Sequence, residues 1–132
     1  MPLVLVVDDD DAIRKMTRLV LEDDGYTVLE ASDGAAALNV LRASHQPLVA
    51  LLDLAMPGTA GEAVLQAVQD EPELRRHVYV VVTARSASQF TPDVRGLIAA
   101  VCLEVVEKPF TISHLLEVVR RAAGEAKGHP PG

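Results

Sequence analysis

Short apolar runs and amphipathic segments alternate along this chain. The apolar runs cover residues 3–7, 48–52, 79–82 and 101–106, and a less purely apolar run covers 26–31. Short apolar runs bounded by polar residues predict buried strands. Strands that alternate with helices predict a parallel sheet covered on both faces. We therefore predict an α/β fold, a doubly wound five-stranded parallel sheet in three layers (α/β/α), with residues 26–31 as a candidate edge strand.

Five amphipathic helices are predicted between and after these strands. The first covers residues 11–24 and stops at Gly25, the second covers 33–43, and the fifth covers 111–123. Asp10 or Asp11 can cap the first helix. Helices three and four are marked by apolar residues at helical spacing, respectively Gly61, Val64, Leu65 and Val68, and Val94, Leu97, Ile98 and Val101.

The length and composition indicate a single globular domain. The 132 residues suffice for one core, predicted over 1–124, with a flexible tail over 125–132 that contains Pro130-Pro131. The net charge of −7, with scattered basic residues, argues against nucleic acid as a direct partner. Cys102 is the only cysteine, which excludes an internal disulfide. Because the sequence shows neither a signal peptide nor a membrane-length apolar run, we predict a cytoplasmic protein without a membrane partner.

Polar side chains stand where four of the apolar runs end or just beyond: Asp8-Asp9, Asp53, Thr83 and Lys108. The carboxyl ends of parallel strands meet at one edge of a sheet, so these groups are expected to share one crevice. Clustered carboxylates repel one another unless a cation lies among them, and their hard oxygens suit Mg²⁺ better than zinc. The sequence therefore predicts a magnesium-dependent phosphate site. The histidines lack metal-like spacing and are expected at the surface; they are His45, His77, His114 and His129.

Four stretches in this order resemble the response-regulator receiver domain, the phospho-accepting module of two-component signalling. They are Val6-Val7-Asp8-Asp9, Leu51-Leu52-Asp53-Leu54-Ala55-Met56-Pro57-Gly58-Thr59-Ala60-Gly61, Val82-Thr83-Ala84 and Glu107-Lys108-Pro109-Phe110. The resemblance covers nearly the whole chain. It implies a (βα)5 flavodoxin-like fold and a phospho-acceptor that assists its own phosphorylation and dephosphorylation, not an enzyme.

The resemblance also implies a role for each residue of the site. Asp53 is the expected phospho-acceptor, while Asp8, Asp9, Asp53 and the backbone carbonyl of Ala55 are expected around Mg²⁺. Thr83 is expected to donate a hydrogen bond to the phosphoryl group.

Further residues around the phosphoryl group follow from the same resemblance. Lys108 supplies a point charge, and its bond to Pro109 is expected to be cis. Met56-Pro57 and Gly61 are expected to shape the loop around the acceptor, because Pro fixes φ and Gly permits either a close backbone approach or a positive φ.

The expected partners are proteins. The phosphoryl donor is a phosphohistidine on a sensor histidine kinase or a phosphotransfer protein, and the signal goes to an unknown downstream protein target or a missing output domain. Phosphorylation-dependent pairing of two copies stays open. Receiver domains usually carry an aromatic residue three positions before the lysine, where this chain has Val105. We expect weaker coupling to the last strand and helix, with the loop over 86–93, which contains Phe90, moving instead.

Two other functions stay open. In a haloacid-dehalogenase-like magnesium phosphatase, Asp8 and Asp10 would form the Asp-x-Asp pair with Asp8 as nucleophile. That fold needs a further acidic pair after the lysine, and it leaves Asp53 unexplained. A degenerate receiver would act only as an interaction module.

Overall fold

The computed structural model describes residues 3–54, 60–84 and 89–128. The five strands β1–β5 are Leu3–Val7, Thr27–Ala31, Val49–Asp53, Val78–Thr83 and Cys102–Glu107. The five helices α1–α5 are Asp11–Asp23, Gly34–Ala43, Ala60–Asp70, Pro92–Val101 and Ile112–Gly128. A short 3₁₀ helix, Pro72–Arg76, precedes β4 and was not predicted. Within the described ranges, none of the helices is both long and apolar enough to span a bilayer.

All five strands are parallel and lie in the order β2-β1-β3-β4-β5. The predicted edge position of residues 26–31 is confirmed for β2, and β5 forms the opposite edge. The strand order reverses between β1 and β3, and such a reversal opens a crevice outside the carboxyl ends of the strands. The residues that follow β1 and end β3 therefore face the same crevice.

Side chains alternate between the two faces of the sheet, and each face is covered by helices. One core contains strand residues such as Leu5, Leu52 and Val81 together with residues of α2, α3 and α4. The other contains Val6 and Val82 together with residues of α1 and α5. The nearly continuous apolar runs of the sequence reflect this double coverage, because a strand buried on both faces has no polar side.

The helix ends follow the sequence signals. The Asp10 carboxylate caps α1 by accepting hydrogen bonds from the amides of Ala12 and Ile13, at 3.0 and 3.1 Å. The Asp33 carboxylate caps α2 through the amide of Ala36 at 2.8 Å. Gly25 ends the turn after α1 with φ of 97°, a conformation that favours glycine.

The last helix is longer than the sequence analysis predicted. It continues past 123 to Gly128, so its end was wrong by five residues, and residues 129–132 lie outside the described part. The apolar stripe of Val119, Ala122 and Ala126 continues across Gly124, and all three are buried. Burial of this stripe outweighs the cost of about 1 kcal/mol that a glycine brings to a helix interior.

The expected surface position of His77 is wrong, whereas His45 and His114 are exposed and His129 is not described. His77 is buried just before β4. Its Nδ1 accepts a hydrogen bond from the amide of Leu48 at 3.1 Å, and its Nε2 donates to the carbonyl of Leu41 at 2.8 Å. Burial lowers the pKa of His77, the hydrogen bond to the Leu41 carbonyl opposes this fall, and the charge of the neighbouring Arg76 lowers the pKa further. The ring is therefore neutral and joins the end of α2 to the starts of β3 and β4.

We expect His77 to make the fold sensitive to acid. Because the folded-state pKa is lowered, its contribution to the free energy of unfolding is present above the unfolded value near 6.5 and is lost below it, by at most about 1.4 kcal/mol per pH unit. Urea unfolding at pH 7.5 and 5.5 should show a smaller loss in His77→Gln than in the unsubstituted protein. The exposed-site control His45→Gln should keep the full loss, and an equal loss in His77→Gln would contradict the assignment.

Candidate functional site

The predicted site residues meet at the carboxyl edge of the sheet. Asp8 follows β1, Asp53 ends β3, Thr83 ends β4, and Lys108 follows β5. Asp53 lies opposite Val82 in the ladder between β3 and β4. Parallel pairing thus brings together polar residues that are up to a hundred positions apart in the chain.

Three carboxylates form the centre of this site. One oxygen from each of Asp8, Asp9 and Asp53 lies within 4.8 Å of the others. The side chain of Asp8 is 7% exposed and that of Asp53 is 9% exposed, whereas Asp9 is open to solvent. Buried carboxylates this close together repel one another strongly unless a positive charge compensates them.

Lys108 supplies part of that compensation. Its Nζ lies 3.6 Å from Asp53 Oδ2 and 3.8 Å from Asp8 Oδ2. These distances are ion-pair contacts and not short hydrogen bonds. The peptide bond from Lys108 to Pro109 is cis, as the resemblance implied. The two distances place the ammonium group beside both buried carboxylates, on the β5 side of the site.

The main chain holds Lys108 next to the end of β4. The Lys108 amide donates to the carbonyl of Thr83 at 2.7 Å. The side chain of Thr83 is fully buried, and its hydroxyl lies 3.4 Å from the carbonyl of Leu54, the residue directly after Asp53. The hydroxyl and the ammonium group thus reach the Asp53 region from neighbouring strands.

Gly61, at the start of α3, is explained by a close backbone approach. A Cβ at Gly61 would lie 2.6 Å from the carbonyl oxygen of Asp53 and would collide with the side chain of Leu54. Gly61 is not among the described glycines with positive φ, so of the two predicted reasons the close approach applies. The absence of a side chain lets the start of α3 pack directly under the candidate acceptor.

The Asp53 carboxylate is poorly compensated by the described residues. Its Oδ1 is buried and has no hydrogen-bond donor among them. Burial raises the pKa of Asp53 to about 6; Lys108 opposes the rise, and the Asp8 and Asp9 charges add to it. A buried oxygen without a donor, beside two further carboxylates, is the environment that a divalent cation satisfies.

Several predicted site residues lie outside the described part of the chain. They are Ala55, Met56, Pro57, Gly58 and Thr59 after β3, and residues 86–88 of the predicted loop. The end of that loop is described: Phe90 is buried, and α4 begins at Pro92 with Thr91 as its cap. The predicted loop is therefore shorter than 86–93.

Val105 lies on β5 at the rim of a surface groove. Its side chain is 37% exposed, and the groove of about 430 Å³ is lined by Phe90, Ile98, Val105, Glu107 and His114. The phenyl ring at this groove thus comes from the segment before α4 and not from β5.

Sequence reasoning missed Arg14, which contacts the main chain at the site. Its Nη1 donates to the Asp8 carbonyl at 2.8 Å, and its Nε donates to Glu30 on β2 at 3.0 Å. Arg14 lies one helical turn after the Asp10 cap. This position could have predicted its contacts with Asp8 and Glu30 only if β2 had been known to lie beside β1.

We expect Asp53→Asn to stabilise the metal-free protein at neutral pH. Because the folded-state pKa of about 6 is above the ordinary value of 3.8, ionising Asp53 as the pH rises lowers the free energy of unfolding, by at most about 3 kcal/mol. Calorimetry in a metal chelator should show a gain for Asp53→Asn at pH 7.5 that shrinks at pH 4.5. A gain of the same size at both pH values would contradict this electrostatic origin.

Comparison with known proteins agrees with the fold. The sequence model of the response regulator receiver domain matches residues 4–120. The transcriptional regulatory protein CseB of Streptomyces avermitilis is 37% identical over 95% of this chain. The chain spans only 52% of that relative's length.

Two solved structures show the same fold. A CheY-like response regulator receiver domain protein from Methanospirillum hungatei is 27% identical, with a TM-score of 0.81 over 97% of this chain and 98% of that one. The response regulator TrrA from Thermotoga maritima, solved in complex with Mg(2+)-BeF, is 27% identical, with a TM-score of 0.75 over 92% and 99%. This chain therefore belongs to the response regulator receiver domain family of two-component signal transduction.

Proposed function

We propose that this domain accepts a phosphoryl group on Asp53 in a magnesium-dependent reaction and relays the signal through protein contacts. The observation that carries the proposal is the convergence of Asp8, Asp9 and Lys108 on the Asp53 carboxylate, whose Oδ1 has no donor among the described residues. Phosphoryl transfer depends mainly on positioning and charge neutralisation. The strand ends would supply the positioning, and Lys108 together with a bound cation would supply the neutralisation.

Asp8, Asp9 and Asp53 are the residues that would hold Mg²⁺, with the backbone carbonyl of Ala55 as a further ligand. Three carboxylates with hard oxygens suit Mg²⁺, which prefers oxygen ligands and keeps several waters. The bound ion would neutralise the carboxylates and the phosphoryl oxygens during transfer. The complex of TrrA with Mg(2+)-BeF supports this assignment for a related fold.

The remaining residues would orient the transferred group. An oxygen of Asp53 forms a bond to phosphorus while the bond from phosphorus to the imidazole nitrogen of a phosphohistidine breaks. Lys108 Nζ, at 3.6 Å from Asp53 Oδ2, is placed to meet a phosphoryl oxygen as charge develops on it. The Thr83 hydroxyl would donate to another phosphoryl oxygen.

The donor would be a sensor histidine kinase or a phosphotransfer protein, and the domain would be an acceptor that is modified in the reaction and not a turnover enzyme. We place this exchange in the cytoplasm. The similarity to half of the length of CseB supports an output through a further domain or a separate target protein. The receiver unit would extend to the end of α5, because Ala126 in this helix is buried.

The phosphatase alternative requires Asp8 as the nucleophile and Asp10 as its partner. Asp10 instead caps α1, with its Oδ1 accepting the amides of Ala12 and Ile13. The receiver family match and this cap both favour Asp53 as the acceptor. The degenerate-receiver alternative predicts no phosphorylation at all.

We expect incubation with Mg²⁺ and acetyl phosphate to add one phosphoryl group, located on Asp53 by mass spectrometry after trapping the acyl phosphate. Asp53→Asn keeps the shape of the side chain but removes the nucleophile, so labelling should be abolished while circular dichroism stays unchanged.

The matched control is Asp10→Asn. Asp10 lies in the same turn as Asp8 and Asp9 but outside the carboxylate cluster, so this variant should keep full labelling. Stoichiometric labelling that persists in Asp53→Asn, or that maps to Asp8, would contradict the proposal. An unlabelled natural sequence in Mg²⁺ would favour the degenerate receiver.

We expect the response to a phosphoryl mimic to be weak at Val105. A β-branched valine has few rotamers and cannot move a ring between buried and exposed positions. Amide chemical-shift changes on adding beryllofluoride with Mg²⁺ should be largest near Asp53, Thr83 and the segment before α4, and should decrease toward Val105 and α5.

The comparison variant is Val105→Tyr, which should enlarge the changes on β5 and α5. Changes in the natural sequence that are as large on β5 and α5 as around Thr83 would show that valine does not limit the coupling.

A further inference from the structure

Arg14 of α1 is the residue that connects the acidic site to the edge of the sheet. Its side chain is 12% exposed and makes three polar contacts with three parts of the fold. Nη1 donates to the main-chain carbonyl of Asp8 at 2.8 Å, Nε to Glu30 Oε1 at 3.0 Å, and Nη2 to Asp11 Oδ1 at 2.6 Å. Such a planar fork fixes the orientation of all three partners.

Both main-chain polar groups of Asp8, its amide and its carbonyl, are hydrogen-bonded. Its amide donates to the carbonyl of Ala31 at the end of β2, at 3.1 Å, and its carbonyl accepts from Arg14. Its Oδ1 accepts the amide of Asp10 at 2.9 Å. The backbone of the first acidic residue is thus anchored between β2 and α1, and this anchoring sets the direction in which the side chains of Asp8 and Asp9 leave the turn.

Glu30 keeps the guanidinium group in place. Its second oxygen accepts from Arg18 Nη1 at 2.7 Å, and Arg18 also contacts Glu22 at 3.2 Å. Hydrogen bonds and charges from Arg18 and Arg14 lower the pKa of Glu30, so Glu30 is ionised at neutral pH. Arg14 and Arg18 therefore share one carboxylate, but of these two described residues only Arg14 donates to the turn that carries the acidic pair.

We infer that Arg14 is a positioning residue for divalent-cation binding, because it holds the Asp8 main chain so that the Asp8 and Asp9 carboxylates converge with that of Asp53. This inference rests on the proposed function, since it concerns the same magnesium site. It goes further because it assigns the affinity of the site partly to a residue outside the carboxylate cluster.

The sign of the effect separates positioning from simple electrostatics. Removing the positive charge of Arg14 from the neighbourhood of three carboxylates would, through the charge alone, tighten the binding of Mg²⁺. Releasing the Asp8 carbonyl would weaken it, because ligands that lose their supporting hydrogen bonds typically lose about tenfold or more in metal affinity. The two causes therefore predict opposite changes.

The test is titration of the metal-free protein with Mg²⁺ alone. Binding is measured by calorimetry or from the amide chemical shifts of residues 8–10. Arg14→Gln should raise the Kd for Mg²⁺ about tenfold. The matched control is Arg18→Gln, which removes the same charge from the same helix and the same Glu30, and should leave the Kd unchanged or lower. Arg14→Lys keeps the charge but not the fork, and should fall between the natural sequence and Arg14→Gln.

Melting temperatures without metal provide the readout for a merely structural role. A drop in melting temperature with an unchanged Kd in Arg14→Gln, or a Kd no higher than that of Arg18→Gln, would overturn the inference while leaving the proposed function intact. If Arg14→Gln does not fold, Arg14→Lys decides the matter, because it keeps the charge and loses the fork, and it should raise the Kd. Failure of the natural sequence to bind Mg²⁺ at millimolar concentration would overturn the proposed function and the inference with it.

Discussion

The mutual repulsion of Asp8, Asp9 and Asp53 is the constraint around which this structure is arranged. The side chains of Asp8 and Asp53 are buried, and the exposed carboxylate of Asp9 lies close to both. The fold offsets part of this cost with Lys108, at 3.6 Å from Asp53 and 3.8 Å from Asp8. The remaining cost appears as the raised pKa of Asp53 and its buried oxygen without a donor. Binding of a cation can relieve this remaining repulsion, so the free energy of unfolding depends on whether the site is occupied.

The parallel sheet is what makes this concentration of charge feasible. All strands run in one direction, so their carboxyl ends lie at one edge, and the order β2-β1-β3-β4-β5 places β1 beside β3 where the crevice opens. The helices bury both faces, and the acidic site lies at the carboxyl ends of the strands. At the other end of the strands, just before β3 and β4, the side chain of His77 forms hydrogen bonds to Leu41 and Leu48. The carboxyl ends of the strands thus carry a charged site, whereas a neutral imidazole with both nitrogens hydrogen-bonded lies at their amino ends.

The sequence predicted the elements and the site because both depend on local patterns. A strand buried on both faces is an unbroken apolar run, and a residue that ends such a run has its position fixed by the sheet. Arg14 and His77 could not be predicted in this way. The partners of His77 lie 36 and 29 residues away, and Arg14 reaches Glu30 only because β2 lies beside β1. The end of α5 was missed for another reason: Gly124 is a local stop signal, while the burial that overrides it depends on packing against the sheet.

The route from the site to the protein surface follows from the same geometry. The Lys108 amide donates to the Thr83 carbonyl at 2.7 Å, so the ends of β4 and β5 are coupled through the main chain whatever side chain occupies position 105. A change at Thr83 can therefore reach Lys108 directly. To reach the exposed groove, however, it must pass through side chains, and there β5 offers Val105 while the ring comes from Phe90 before α4. Because ligands shift a conformational equilibrium only through elements that differ between its states, the surface that reports on the site is better sought at the start of α4 than along β5.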